Sequence, residues 1–78
     1  MKGAPLKEVF GMTIRKLRED QKLSQQEVAD YSEMDRTYLS DLERGLYYPS
    51  LLIVYKLSEV LKIKPHELIE KIDRQLKI

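Results

Sequence analysis

The chain is 78 residues long, has a formal net charge of +1 and contains no cysteine. A chain of this length is typical of one domain and buries only about 60% of its unfolded surface, so a second subunit would add stability. The missing cysteines exclude disulfide frameworks and fit a reducing compartment. No apolar run is long enough to cross a membrane or to form a secretory signal. We therefore expect one soluble, cytoplasmic domain over residues 1–78.

The charged residues are distributed unevenly along the chain. The net charge is +3 over residues 1–22, −4 over residues 23–45 and +2 over residues 46–78. Proteins that bind nucleic acid without sequence preference carry a continuous basic stripe, and this sequence has none. If the chain binds nucleic acid, this distribution favours a few specific contacts over general electrostatic attraction to the phosphate backbone.

Apolar residues at helical spacing predict five helices, with no convincing strand and no internal repeat. An S-x-x-E capping box at Ser24 and Glu27 marks one helix start. Asp35 and Gly45 suit the start and the end of the third helix, and Pro65 suits the first position of the fifth. The fold class is therefore all-α, with a core over residues 6–76 and helices over residues 6–21, 24–32, 35–44, 50–62 and 65–76.

Residues 24–45 fit two short helices joined by a tight turn. Apolar residues fall at Val28, Met34, Leu39 and Leu42, and Ala29 lies where the two helices approach most closely. A side chain larger than alanine would push the second helix away from the first, which makes the small residue informative. Helix pairs of this kind place the second helix in the DNA major groove. The segment therefore predicts sequence-specific binding to double-stranded DNA.

Residues 10–68 resemble the lambda-repressor-like helix-turn-helix family, also called the Cro/C1 or XRE type. The resemblance is carried by IRKLR, LSQQEVA, YLSDLERG, the Pro-Ser before the fourth helix and IKPHEL at the start of the fifth. The family implies a compact five-helix bundle that binds palindromic operators as a homodimer. The segment DRTYLSDLERG is also similar to the controller proteins of restriction–modification systems.

The chain departs from the family at Glu33, in the turn between the second and third helices. The family usually has glycine there, because the turn needs a positive backbone φ. A residue with a side chain adopts that conformation at a cost of about 1 kcal/mol. We therefore expect Glu33 to be strained, or the turn to be shifted slightly.

The first turn of the predicted recognition helix supplies the candidate base contacts. Arg36 can pair with guanine O6 and N7, and the Thr37 methyl can contact a thymine methyl. Ser40 lies one turn further along the same face. The alternatives are that Arg36 contacts only phosphate or solvent, and that Ser40 is an ordinary surface residue.

A second group of side chains is expected to contact the DNA backbone. Gln25 is the first residue after a helix cap, where free N–H groups and the positive helix dipole favour phosphate, and the family resemblance implies the same role. Tyr38 lies beside the face of the recognition helix that would contact bases. Arg44, Tyr47 and Tyr48 follow that helix in the sequence. The alternative for the three tyrosines is packing against the protein itself.

The family resemblance implies that Arg18 and Glu43 pair with each other across the first and third helices instead of contacting DNA. His66 has no second histidine or cysteine nearby, so neither a metal nor another cofactor is expected. No nucleophile has a base and an orienting residue at suitable spacing, and no small-molecule ligand is evident. The sequence therefore argues against an enzyme.

Apolar residues on the fourth and fifth helices cover more than one face. Such helices are buried on more than one face, and a partner chain is the simplest source of that burial. The candidates for this homodimer interface are Ile53, Ile69, Ile72 and Leu76. The alternative is that the whole row packs within its own domain. A dimer would carry two recognition helices about 34 Å apart, matched to a near-palindromic operator.

These features predict a homodimeric transcription regulator that acts on DNA in the nucleoid. A restriction–modification controller and a repressor of a phage or mobile element are two forms of this prediction. The alternative from another class is a protein-binding module, such as an antitoxin. An antitoxin usually has an extra segment that wraps its toxin, and only five residues precede the first predicted helix.

Overall fold

Five α-helices account for most of residues 5–77, the part of the chain that the computed structural model describes, and this part contains no strand. They are α1 (Leu6–Asp20), α2 (Gln25–Tyr31), α3 (Arg36–Glu43), α4 (Leu51–Val60) and α5 (Pro65–Leu76). The predicted all-α class is confirmed, and the helix ends differ from the predicted ones by at most two residues. Residues 1–4 and 78 of the predicted domain lie outside the described residues. None of the described helices is long and apolar enough to span a membrane.

The helices of the motif start where the sequence signals indicate. Ser24 Oγ accepts a hydrogen bond from the Glu27 N–H at 3.0 Å, and the Glu27 carboxylate accepts one from the Ser24 N–H at 2.8 Å. These two bonds complete the predicted capping box. Asp35 occupies the N-cap position of α3 in an extended conformation, although within the described structure its carboxylate does not cap the helix. Pro65 is the first residue of α5.

Four helices within the described residues end in the same kind of turn. The residue after the cap is left-handed, and its N–H and the following N–H donate to carbonyl groups in the last helical turn, as in a Schellman motif. In the α2–α3 turn, Glu33 N–H donates to the Asp30 oxygen at 3.2 Å and Met34 N–H to the Ala29 oxygen at 2.9 Å. The expected positive φ at Glu33 is present, at +56°. The four left-handed residues are Lys22, Glu33, Gly45 and Lys62.

Glycine at residue 33 should stabilise the protein, because glycine adopts a φ of +56° without strain. We expect Glu33→Gly to raise the free energy of unfolding by up to about 1 kcal/mol, since relief of strain exceeds the entropy that glycine adds to the unfolded chain. The Lys56 ion pair that is lost, at 3.9 Å, is exposed and weak. Urea denaturation followed by circular dichroism measures the change. Lys62→Gly, at a φ of +58°, is the matched variant, and a loss of stability in both would contradict this interpretation.

The packing of α1 determines how α3 is held. α1 packs against α3 and α5, α2 packs against α3, and α4 packs against α5. A Cβ added to Gly11 would lie 2.3 Å from the Leu42 carbonyl oxygen, so only glycine allows α1 and the end of α3 to approach this closely. Ala29 is fully buried, as its position between two helices predicted. All five helices contribute to the core, which consists of Phe10, Ile14, Val28, Ala29, Leu39, Leu42, Val54, Leu57, Leu61, Leu68 and Ile72.

Candidate nucleic-acid interface

The first turn of α3 presents the candidate base-contacting side chains to solvent. Arg36 and Thr37 are exposed, and Ser40 is half-buried one turn further along. Among residues 5–77, the Arg36 side chain makes no hydrogen bond or ion pair, so its guanidinium is available to an external acceptor. Guanine O6 and N7 are such acceptors, and they match two N–H groups of arginine.

Arg18 and Glu43 form a buried ion pair between the end of α1 and the end of α3. Arg18 Nε donates to Glu43 Oε2 at 2.7 Å and Nη2 donates to Oε1 at 2.9 Å, which is the bidentate geometry of a strong pair. Nη1 donates to the Leu23 carbonyl oxygen at 2.9 Å. Hydrogen bonding to Glu43 raises the pKa of Arg18 above its ordinary value, against the opposing effect of burial. The pair keeps both side chains off the exposed face of α3.

Breaking this pair should destabilise the protein strongly, because either partner alone leaves an uncompensated buried charge. We expect Arg18→Met or Glu43→Leu to lower the free energy of unfolding by about 3–5 kcal/mol, and the double variant to lose much less than the sum. The exposed Arg15–Glu19 pair, at 3.1 Å, is the control, with an expected coupling below about 0.5 kcal/mol. Urea denaturation of the four proteins in each cycle measures the coupling. A buried pair no more strongly coupled than the exposed one would refute this interpretation.

Gln25, the candidate phosphate contact on α2, is held by the same carboxylate. Its Nε2 donates to Glu43 Oε1 at 3.0 Å, and the side chain is half-buried. Glu43 is 7% exposed and accepts hydrogen bonds from residues of both α1 and α2. The sequence did not predict this contact, because the two residues are 18 positions apart and only helix packing brings them together.

The candidate tyrosines each have a partner within the protein. Tyr38 is half-buried, and its ring stacks on that of Tyr47, with 6.0 Å between the centroids and 25° between the planes. Tyr48 is exposed, and the Lys7 Nζ lies 5.3 Å from the centre of its ring. About half of the Tyr47 side chain still faces solvent. Packing therefore restrains these rings without burying them completely.

Local pairing changes the electrostatics that the sequence indicates for this region. Residues 23–45 contain six acidic residues against two basic ones. One of the acidic residues, Glu43, is paired with Arg18, which lies outside the segment and is not counted in its net charge, while Asp41 is paired with the exposed Arg44, which is counted. The net charge of this segment therefore overstates the repulsion that DNA would meet at α3.

The candidate dimer residues differ in how much surface they expose. Ile69 is 50% exposed, while Ile53 and Leu76 are half-buried against the core. Ile72 is only 4% exposed and packs in the core of its own chain, so it offers a partner little surface. Three further apolar residues of α4 are more than half exposed and were not among the interface candidates chosen from the sequence; they are Leu51, Leu52 and Tyr55.

The remaining described surface offers little that resembles a ligand site. Within residues 5–77, no three histidine, aspartate or glutamate side chains are grouped as metal ligands, and His66 is exposed. A groove of about 340 Å³ lies between α1, the loop before α4 and α5. Its lining is apolar apart from Lys7, Tyr48 and Asp73, and Ile69 forms part of one wall. The groove therefore adjoins the exposed apolar residue of α5.

The exposed first turn of α3, on a second helix packed against a short first one, defines the class of helix-turn-helix DNA-binding domains. The family model described as helix-turn-helix matches residues 14–68. Control protein C.BamHI from Bacillus amyloliquefaciens is 35% identical over 63 residues, which cover 80% of this chain and 78% of that protein. The chain belongs to this helix-turn-helix family, of the Cro/C1 type, whose members are DNA-binding transcription regulators and not enzymes.

Two solved structures are similar over most of the chain. The restriction-modification controller protein C.AhdI from Aeromonas hydrophila is 40% identical, with a TM-score of 0.77 over 80% of this chain and 94% of that one. SinR, a master regulator for biofilm formation whose structure is a complex with DNA, is 33% identical, with a TM-score of 0.72 over 77% of this chain and 97% of that one. The lambda-repressor-like fold expected from the sequence is therefore confirmed.

Proposed function

We propose that this chain regulates transcription as a homodimer on a near-palindromic DNA operator, in the cytoplasm and in association with the nucleoid. One observation carries the proposal. The first turn of α3 presents Arg36 and Thr37 without partners among the described residues, on a scaffold similar to DNA-binding regulators. A free guanidinium and a threonine methyl at the start of a recognition helix suit guanine and thymine edges in the major groove.

Within this function, we infer that the chain is a controller of restriction–modification genes. The support is that two of the three relatives described above, C.BamHI and C.AhdI, are controllers and are 35% and 40% identical to this chain. The gene neighbourhood tests the inference. A methyltransferase or restriction endonuclease gene beside this one would support it, and phage genes in that place would favour a repressor instead.

The test of base contact is Arg36→Ala, with a DNA duplex that the wild-type protein selects from a random library. Because Arg36 is expected to read a base, the variant should lose about 1–3 kcal/mol of binding free energy per half-site and relax the base preference there. Gln25→Ala should instead weaken binding to the selected duplex and to a scrambled duplex alike. Fluorescence anisotropy titrations of both duplexes, at one salt concentration, measure these losses.

Two results of this experiment would count against the proposal at different levels. Equal losses on the selected and the scrambled duplex would make Arg36 a phosphate contact and remove it from base recognition. Failure of the wild-type protein to enrich any duplex would overturn sequence-specific binding altogether.

The homodimer is supported by the exposed apolar residues of α4 and α5. Leu51, Leu52 and Tyr55 are each more than half exposed, and Ile69 is 50% exposed. A second copy of the chain would cover such residues, as in most soluble oligomers with two-fold symmetry. Two copies are also needed for specificity, since one recognition helix reads too few base pairs to find an operator among genomic competitors.

A charge on this apolar surface should separate the subunits. Because Ile69 is half exposed, we expect Ile69→Glu to keep the helical content, to sediment as a monomer at micromolar concentration and to lose more operator affinity than Arg36→Ala. Met12→Glu is the matched control, since Met12 is 61% exposed and lies on α1. Ile72→Glu cannot serve, because a charge at a core residue should unfold the chain. Sedimentation of the wild type as a monomer, with and without the selected duplex, would contradict the dimer.

A further inference from the structure

We propose that Glu43 is a positioning residue for DNA binding, whose carboxylate orients the Gln25 amide so that one N–H of Nε2 remains for a DNA phosphate. The inference rests on the proposed function, because it assumes that Gln25 contacts the DNA backbone. The observation behind it is the hydrogen bond from Gln25 Nε2 to Glu43 Oε1, at 3.0 Å. Glu43 itself is 7% exposed and does not need to touch DNA.

The orientation of a glutamine amide matters at a phosphate. The amide has a donor end and an acceptor end of nearly the same shape, and a phosphate oxygen can only accept. An amide that presented Oε1 to the phosphate would be repelled by it. A carboxylate also only accepts, so Glu43 requires Nε2 of Gln25 to face it and excludes the flipped orientation. A neutral side chain at residue 43 that could donate as well as accept would not make this distinction.

The amide nitrogen has capacity for a second partner. Nε2 carries two N–H groups, and among the described residues only one of them has an acceptor, Glu43. The hydrogen bond to the buried carboxylate holds the amide in place before DNA arrives. A side chain that is already held loses less rotamer freedom when it binds. The second N–H is therefore a prepared donor.

The charge of Glu43 does not counteract this role. An unpaired carboxylate beside DNA would repel the phosphate, but Arg18 binds both oxygens of Glu43, at 2.7 Å and 2.9 Å. The amide is thus held by a neutral pair. Gln26, the next residue along α2, provides a comparison on the same helix: it is exposed, and its Nε2 donates to Asp30 of α2 at 2.8 Å.

The first test measures whether the Gln25 amide is held in the free protein. The ¹⁵N–¹H heteronuclear NOE of the Gln25 Nε2 group should approach the value of the Gln25 backbone amide. In the double variant Arg18→Met/Glu43→Leu, the side-chain value should fall well below the backbone value. A side-chain value already well below the backbone value in the wild type would overturn the proposal, and this result does not depend on whether the double variant folds.

The second test asks whether the orientation is used on DNA. In the wild-type background, Gln25→Ala should lower the affinity for the selected duplex about tenfold, the effect of one hydrogen bond to a charged group. In the Arg18→Met/Glu43→Leu background, the same change should cost less than about twofold, because the amide is no longer oriented. Gln26→Ala is the control and should have the same effect in both backgrounds.

The outcomes separate this inference from the function on which it rests. If Gln25→Ala lowers affinity equally in both backgrounds, Glu43 is a structural brace only and the positioning role is refuted, while DNA binding stands. If the wild type selects no duplex, the proposed function fails, and the NOE measurement still reports whether Glu43 holds the amide.

Discussion

The buried ion pair between Arg18 and Glu43 is the interaction on which the recognition surface depends. It joins the end of α1 to the end of α3, and a further hydrogen bond from Arg18 to the Leu23 carbonyl oxygen fixes the chain that enters α2. Two buried charges repay their desolvation only when the geometry is good, so the pair has no clear advantage in stability over apolar residues. Its advantage is that it defines the orientation of the two side chains, because a planar guanidinium pairs with a carboxylate in only a few geometries. The close approach of α1 to the end of α3, which Gly11 allows, adds to this constraint on α3.

The side chains expected to contact DNA differ in how far the protein restrains them. Each of those assigned to the DNA backbone has a partner: Gln25 is held by Glu43, Tyr38 by Tyr47, Arg44 by Asp41 and Tyr48 by Lys7. Arg36 has none within residues 5–77. Phosphates occur at regular spacing on every duplex, so a restrained donor loses little entropy there and carries no sequence information. An unrestrained arginine is immobilised only where guanine offers both acceptors, and on other sequences it stays solvated.

Short-range sequence patterns predicted the helices and their ends. They did not predict the contacts between helices that hold the candidate DNA-binding side chains. The capping box at Ser24 depends on neighbours within three residues and was predicted from the sequence itself, while the family resemblance implied the positive φ that the structure has at Glu33. The Gln25–Glu43 bond depends on how α2 and α3 pack, which no spacing along the chain reveals. The spacing of apolar residues also could not show that Ile72 is buried and Ile69 exposed. The apolar face of α5 is wider than the part of it that packs against the core. The structure buries Ile72 and leaves Ile69 half exposed, so one row serves both the core and a candidate interface.

The exposed apolar residues of α4 and α5 connect assembly to regulation in the proposed dimer. A domain of this size has a narrow margin of stability, and an interface adds to that margin only at concentrations where the subunits associate. Each subunit supplies one α3, and both must be held at a fixed separation to read two half-sites. While most of the protein is monomeric, the concentration of dimer rises with the square of the monomer concentration, so operator occupancy rises more steeply than synthesis. If the proposed dimer forms through the exposed apolar residues, Ile69 among them, these residues would make the response to protein concentration steep.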